Sequence, residues 1–391
     1  MIEKLAVHGY RSIRDLVVEP GPVTVVTGGN GSGKSSLYRA LRLAAETAQG
    51  DLVGSLAHSG GLQSVLWAGP EQLTAAMRRG DHPVQGTGKR IKPVSLMLGF
   101  ATDDLGYLID VGLPQFSGMP TAFAHDPVIK REVIFASSVM RPASALVRRK
   151  GSKVDVRDDG WTTITEELGE RDSILSEVAD PNSTPEVLRV RQSVRSWRFY
   201  DGFRVDAHAP SRQPQVGTFT PVLSADGSDL APAIQTILES AWADPFNAAI
   251  DRAFPGSRVQ VDCDGLRWGV GMTQPGMLRT MGAEELSDGT LRFLLHAAAL
   301  LSPRPPELMV LNEPESSLHP DLLPGLADLI AAAAERTQVV VVSHSDAIVT
   351  ALLARHEGRV VAVELEKDLG ETMVAGREGL LDRPAWDWGS R

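Results

Sequence analysis

The sequence predicts an α/β fold organised around a phosphate-binding loop, and three observations carry that prediction. A run rich in β-branched residues, 23–27, breaks into Gly28-Gly29-Asn30-Gly31-Ser32-Gly33 and then into helical periodicity from Lys34. Two later apolar runs, 308–311 and 339–342, read as buried strands. Each of them ends in polar residues that include one ionisable group, Asn312-Glu313 and Ser343-His344-Ser345.

Gly28, Gly33, Lys34 and Ser35 fit the spacing G-x-x-x-x-G-K-[ST]. The spacing has a physical cause. A strand must turn so sharply that successive backbone N–H groups point inward, and glycines permit those dihedrals. The helix N-terminus then faces the same hollow with its positive dipole end. Lys34 would reach the β- and γ-phosphates, and the Ser35 hydroxyl would bind Mg²⁺. Leu37, Ala40, Leu41, Ala44 and Ala48 continue at helical spacing, with Gly50 as a stop.

At 391 residues the chain exceeds the usual size of one hydrophobic core. A net charge of -10 argues against a surface coated for nucleic acid, although it leaves room for a local basic groove. The lone Cys263 excludes an intrachain disulfide and reads as a small buried residue rather than a nucleophile. The start Met1-Ile2-Glu3-Lys4 runs straight into a strand pattern without a signal-peptide core, and no apolar run approaches a membrane span. The expectation is a cytoplasmic protein with no membrane partner.

Residues 5–7 and 17–18 read as short strands around Arg11 and Ser12. A β meander is expected over 94–100, 107–111, 132–136, 145–147 and 154–156, with turns at Asp103-Asp104 and Asp158-Asp159-Gly160. Helices interrupted near Pro181 and Pro185 should fill 170–200, closed by Trp197-Arg198-Phe199-Tyr200. A connection follows over 205–227, then a helix capped by Ser228 and a hairpin turning at Asp264-Gly265. Three segments are expected: 1–165, 166–245 and 246–391. The basic clusters Arg148-Arg149-Lys150 with Lys153, and Lys89-Arg90 with Lys92, read as solvated loop charge rather than a DNA surface.

Leu286-Ser287-Asp288-Gly289-Thr290 precedes an almost wholly apolar helix, giving a second anion-facing helix start. A carboxylate in Asn312-Glu313-Pro314-Glu315-Ser316-Ser317-Leu318-His319-Pro320 is placed to polarise water against a γ-phosphate. In this order the pieces resemble the ABC-type ATPase set. Their wording is similar to the SMC/RecF branch, and within it to standalone ATPases related to the OLD and AbiEii phage-defence proteins. The resemblance covers 1–50 and 220–370 well and the middle loosely.

The resemblance implies a P-loop NTPase of ABC/SMC-head type, with a mixed β-sheet lobe and a helical lobe. ATP would be held by Gly28, Asn30, Gly31, Ser32, Gly33, Lys34, Ser35 and Ser36, with Arg11 nearby. Ser287 and Gly289 would contact the γ-phosphate from the opposite subunit of a head-to-head homodimer. Glu313 would be the general base, His344 the switch histidine and Ser316-Ser317-Leu318 the D-loop, while Gln63 is a candidate for the Q-loop. DNA is the usual cue of such proteins, and a separate effector protein is expected because the chain holds none.

One departure stands out. The family's Asp before the catalytic Glu is Asn312 here, which keeps a carbonyl acceptor but loses the charge that helps to hold Mg²⁺. The expectation is slow turnover with dimerisation retained, and faster hydrolysis on restoring Asp at 312. A binding-only nucleotide switch is the alternative. A transporter subunit is disfavoured by the long interval from Lys34 to Ser287. A nuclease is disfavoured by the short stretch after Glu313 and by Asp262-x-Asp264 falling in a turn.

Overall fold

The computed structural model describes residues 1–70, 74–81, 95–114, 121–263, 265–355, 358–377 and 383–389. It divides into two compact units, Met1–Pro20 with Thr27–Ser196 and Val363–Arg391, and Gly21–Val26 with Trp197–Ala362. These bounds differ from the 1–165, 166–245 and 246–391 segments expected, because 198–201 already belongs to the second unit's sheet. Lys89, Arg90 and Lys92 lie outside the described residues, as does Asp264.

In chain order the first elements are β1 (Ile2–Tyr10), β2 (Ile13–Val18), β3 (Val23–Gly28) and α1 (Lys34–Thr47). Short helices α2 (Leu52–His58), α3 (Leu62–Val65) and α4 (Ala75–Arg78) follow. The meander is β4 (Leu96–Thr102), β5 (Leu105–Gly112), β6 (Val128–Ala136), β7 (Ala145–Lys150), β8 (Lys153–Arg157) and β9 (Trp161–Thr165). With β1 and β2 it forms one antiparallel sheet ordered β2-β1-β4-β5-β6-β7-β8-β9. The last strand was not anticipated: its Trp-Thr-Thr-Ile-Thr run has strand-favouring residues but little buried face. Helices α5 (Ile174–Glu177) and α6 (Pro185–Ser196) complete this stretch. Pro185 opens α6 rather than breaking a helix, since the first turn needs no N–H from it.

Arg149 corrects the reading of 148–150 as loop charge. It sits on β7, wholly buried, and its Nη1 donates to Glu132 at 2.9 Å. Its other N–H groups reach the backbone carbonyls of Gly151, Gly169 and Asp172. Glu132 is satisfied in turn by Tyr107 Oη at 2.7 Å, Ile174 N at 3.0 Å and the Ser173 hydroxyl. Burial, and then the Glu132 charge, hold the Tyr107 phenol well above its usual pKa, so it stays a donor. Arg148 lies over the Trp161 ring at 3.9 Å and bonds Asp155.

The second unit holds β10 (Arg198–Asp201), β11 (Gln215–Val216), α7 (Leu230–Leu238), α8 (Ala243–Ala253), β12 (Arg258–Asp262), β13 (Arg267–Thr273), β14 (Met281–Gly282) and α9 (Asp288–Leu300). Then come β15 (Leu308–Asn312), α10 (Leu323–Ala333), β16 (Gln338–Val342) and α11 (Asp346–Arg355). The chain leaves this unit along β17 (Val360–Asp368), which pairs antiparallel with β18 (Glu371–Val374). Ser228 does not cap α7; Asp229 holds the N-cap position and bonds Ser224 instead. Cys263 is exposed rather than buried, and desolvation together with the Asp262 charge pushes its thiol up, opposite to nucleophile activation.

Strands β10, β15, β16 and β3 run parallel side by side. All five residues of β16, Gln338–Val342, are buried, as a strand covered on both faces requires. Helix α9 packs in the core of this unit, with Leu291, Phe293, Leu294 and Leu295 inaccessible. His296, in the same helix, lies against Phe203 with ring centroids 5.3 Å apart. Burial, and then the Arg292 charge, depress its pKa from 6.5 to about 3. Below about pH 6.5 the unfolded chain therefore takes a proton here that the folded one refuses until about pH 3. Stability is lost as pH falls through that window, at up to about 1.4 kcal/mol per unit. Urea unfolding near pH 7.5 and pH 5 should show the parent losing about 2 kcal/mol more than His296→Phe.

Candidate nucleotide site

The phosphate loop belongs to the first unit. Gly28, Gly31 and Gly33 all take positive φ, at 137°, 79° and 114°. Gly33 is the N-cap of α1 and offers no side-chain cap, so the first N–H groups of the helix are left for a ligand. A Cβ on Gly33 would sit 2.1 Å from Thr372 Oγ1, whereas nothing lies within 4 Å of one on Gly29 or Gly31. The loop is thus braced beneath and open above. Asn30, Gly31 and Ser35 are exposed, and Lys34 Nζ lies against the loop, donating to Gly28 O at 2.5 Å and Gly29 O at 3.1 Å.

The brace comes from both ends of the chain. Thr372 Oγ1, on β18, is 2.8 Å from Ser32 O and 2.8 Å from Ser12 Oγ. Ser12 Oγ lies 3.5 Å from Ser36 Oγ. Arg14 Nε meets the buried Glu371 at 3.0 Å. Ser32 Oγ is buried without a partner among the described residues, a hydroxyl available to a phosphate oxygen. Arg11 takes φ 51°, and its Nε is likewise buried and unpartnered. Gln63 is exposed and bonds His125 at 3.3 Å. Thr372 was missed by sequence reasoning; its only signal is the strand pattern of the terminal hairpin.

The second unit carries its own cluster of candidate residues at the C-terminal ends of its parallel strands, where open α/β sheets bind ligands. Asp201, Asn312 and Val342 end β10, β15 and β16 in register, and Val342 pairs with Val26 of β3. The ladder carries one step further, with Glu313 N donating to Val342 O at 2.8 Å and Ser343 N to Val26 O at 3.0 Å. Glu313 is held at φ 48° and Ser317 at φ 62°, a conformation that costs a side chain of the order of 1 kcal/mol.

Glu313 is 46% exposed, with Oε1 3.5 Å from His344 Nδ1. Glu315 is only 8% exposed; its Oε1 lies 4.0 Å from the same nitrogen and accepts from the Ser343 hydroxyl. The pair therefore differs in kind. Glu313 is open to water and to a reacting group, whereas Glu315 is a buried anchor that orients the Ser343-His344 turn. Asn312 Nδ2 donates to Asp201 Oδ1 at 2.7 Å. Among the described residues no cluster of three His, Cys, Asp or Glu side chains could hold a metal alone. Mg²⁺ suits this donor set nonetheless, because it takes one or two protein oxygens and completes its shell with phosphate and water.

Ser287 caps α9, its Oγ accepting from Thr290 N at 3.1 Å. A buried Arg212 holds the preceding turn, donating to the carbonyls of Ala283 (2.6 Å) and Leu286 (2.8 Å) and to Asp288 (2.7 Å). Arg292 holds the facing loop through Ser316 O at 2.8 Å. A Cβ on Gly289 would come within 3.3 Å of Ser317 O, so a larger residue would push the loop from the helix. In front lies an open groove of about 620 Å³ lined by Ser287, Gly289, Ser317 and His319. Arg212 and Arg292 were not singled out from sequence, since nothing local tells a buried arginine from a solvated one.

Two family profiles match separate parts of the chain. A family profile described as an AAA domain, putative AbiEii toxin, Type IV TA system, matches residues 162–350. A second, described as an AAA domain, matches residues 4–51. No curated protein matches the chain. Among solved structures, the SMC head domain from Thermotoga maritima aligns at 14% identity over 95% of this chain and 97% of that one, with a TM-score of 0.47. An Smc head domain with an extended coiled coil, bound to the C-terminal domain of ScpA derived from Pyrococcus furiosus, aligns at 12% identity over 95% of each, with a TM-score of 0.49. Among the described residues no helix is long and apolar enough to cross a membrane.

Proposed function

We propose that this chain, which carries two AAA-domain matches, is a slow, Mg²⁺-dependent ATPase of SMC-like type that forms a head-to-head dimer on ATP. The observation that carries the dimer is the open groove at the Ser287 helix mouth. Ser287, Gly289 and the D-loop around Ser317 line one concave face, mixed polar and apolar, with a helix N-terminus in it. That face is built to receive an anion, and the ATP held by a second copy's loop supplies one.

In this reading Gly28–Gly33 would cradle the phosphates with backbone N–H groups, Lys34 would neutralise the β- and γ-oxygens, and the Ser35 hydroxyl would help to hold Mg²⁺. Mg²⁺ supplies charge neutralisation on the same oxygens when bound. Glu313 takes the proton of the attacking water, and His344, positioned by Glu315 through Ser343, senses the γ-phosphate. Nucleotide-gated control of a separate effector, in anti-phage defence or DNA repair, completes this reading.

Sedimentation of the purified chain tests this directly. With ATP and Mg²⁺ the species should double in mass, and Lys34→Ala should stay monomeric with ATP affinity lowered by at least about 10-fold, the loss expected of a charge-assisted phosphate contact. A parent that remains monomeric at saturating ATP contradicts the dimer.

A further inference from the structure

Asn312 raises a question that the neighbouring strand answers. Its amide stands at the end of β15, where a charged oxygen would serve Mg²⁺ best, yet an amide oxygen is neutral. Residue by residue, Asp201 of β10 is its parallel partner in the sheet, and the two side chains are joined by a 2.7 Å hydrogen bond. The donor must be Nδ2, because an ionised carboxylate only accepts; the amide oxygen is thereby turned away from Asp201. Asp201 is exposed and Asn312 half-buried, so both oxygens remain reachable from the ends of the strands.

We infer that Asp201 supplies the negative charge that β15 lacks, so that a carboxylate on β10 and an amide on β15 together hold Mg²⁺ at the strand ends. The inference rests on the ATPase reading above. It changes what substitution at 312 should do. Asp at 312 beside Asp201 would set two carboxylates side by side with no donor between them, so the hydrogen bond that fixes the pair is lost. Restoring the familiar residue alone therefore gains nothing, contrary to the expectation from sequence. Exchanging the two residues keeps one charge and one amide, and keeps the hydrogen bond between them.

The test measures ATP affinity by calorimetry in excess EDTA and again in Mg²⁺. It compares the parent with Asp201→Asn, Asn312→Asp and the exchanged double variant Asp201→Asn/Asn312→Asp; Asp201→Ser serves as a second removal of the charge. All should bind ATP alike in EDTA. The gain on adding Mg²⁺ should fall at least about 10-fold in Asp201→Asn and Asp201→Ser. It should fail to rise in Asn312→Asp and return to within about 3-fold of the parent in the exchanged form, as a coupled pair requires. An undiminished Mg²⁺ gain in both Asp201 variants overturns the inference. A higher gain in Asn312→Asp alone does the same. A parent that binds no ATP even in EDTA sinks the ATPase reading itself, a separate outcome.

Discussion

Glu313→Gln should bind ATP as the parent does, turn it over about 10²- to 10⁴-fold more slowly, and accumulate as a dimer. Glutamine preserves the shape of the side chain and can keep the left-handed backbone that Glu313 already bears at φ 48°. It cannot take a proton. The contacts that define the loop half, Lys34 on the carbonyls of Gly28 and Gly29 and Thr372 beneath Ser32, are untouched. Binding and chemistry should therefore separate cleanly. Glu315→Gln serves as the contrast: it loosens the Ser343 anchor and should disturb nucleotide-dependent behaviour without removing the base. Single-turnover rates with radiolabelled ATP read the difference, and equal rates in parent and Glu313→Gln would show that another group activates water.

Arg149→Met should destabilise the first unit by about 3–5 kcal/mol, the usual consequence of breaking a buried ion pair from one side. Glu132 would keep Tyr107, Ser173 and Ile174 as donors but lose its countercharge in a site with no exposure. The Asp172 carbonyl would lose its Arg149 donor and the Gly169 carbonyl would keep only Asp172 N, loosening the turn that leads into α5. Glu132→Gln/Arg149→Met removes both charges and should recover much of the loss. Arg148→Ala, by contrast, gives up an ion pair whose arginine is half exposed and a ring contact with Trp161, a change of about 1 kcal/mol. Guanidinium unfolding of the three variants ranks them. Equal stability of Arg148→Ala and Arg149→Met would contradict the buried network.

The parts of the fold that were legible in the sequence share one property: their signal is local. Strand 23–28, its glycines and the Lys34 helix announce themselves within one continuous stretch, as do β15 with Glu313 and α9 with its Ser287 cap. The parts that escaped depend on pairing across hundreds of residues. Phe199-Tyr200-Asp201 is too short to declare itself a strand, yet it ends beside Asn312 because β10 pairs with β15. Thr372 braces Ser32 from the other end of the chain, and the short Glu371–Val374 strand that carries it has no period to read. Charge was misjudged for the same reason. Arg149 and Arg148 are neighbours of identical type, and only the pairing of β6 with β7 decides that one is buried and the other is not.

The central claim is that each ATP is shared by two copies, one giving the loop and the other the Ser287 helix mouth. Mixing Lys34→Ala with Ser287→Arg protein tests it most directly, by sedimentation with ATP and Mg²⁺. Neither variant should dimerise alone: the first cannot hold ATP, and the second blocks its own groove with a long cation. Their mixture rebuilds one intact site, since the Ser287→Arg copy holds ATP and the Lys34→Ala copy presents an unaltered helix mouth. The account predicts a heterodimer carrying one ATP. A mixture that stays monomeric while the parent dimerises, or Ser287→Arg dimerising alone as readily as the parent, would contradict it.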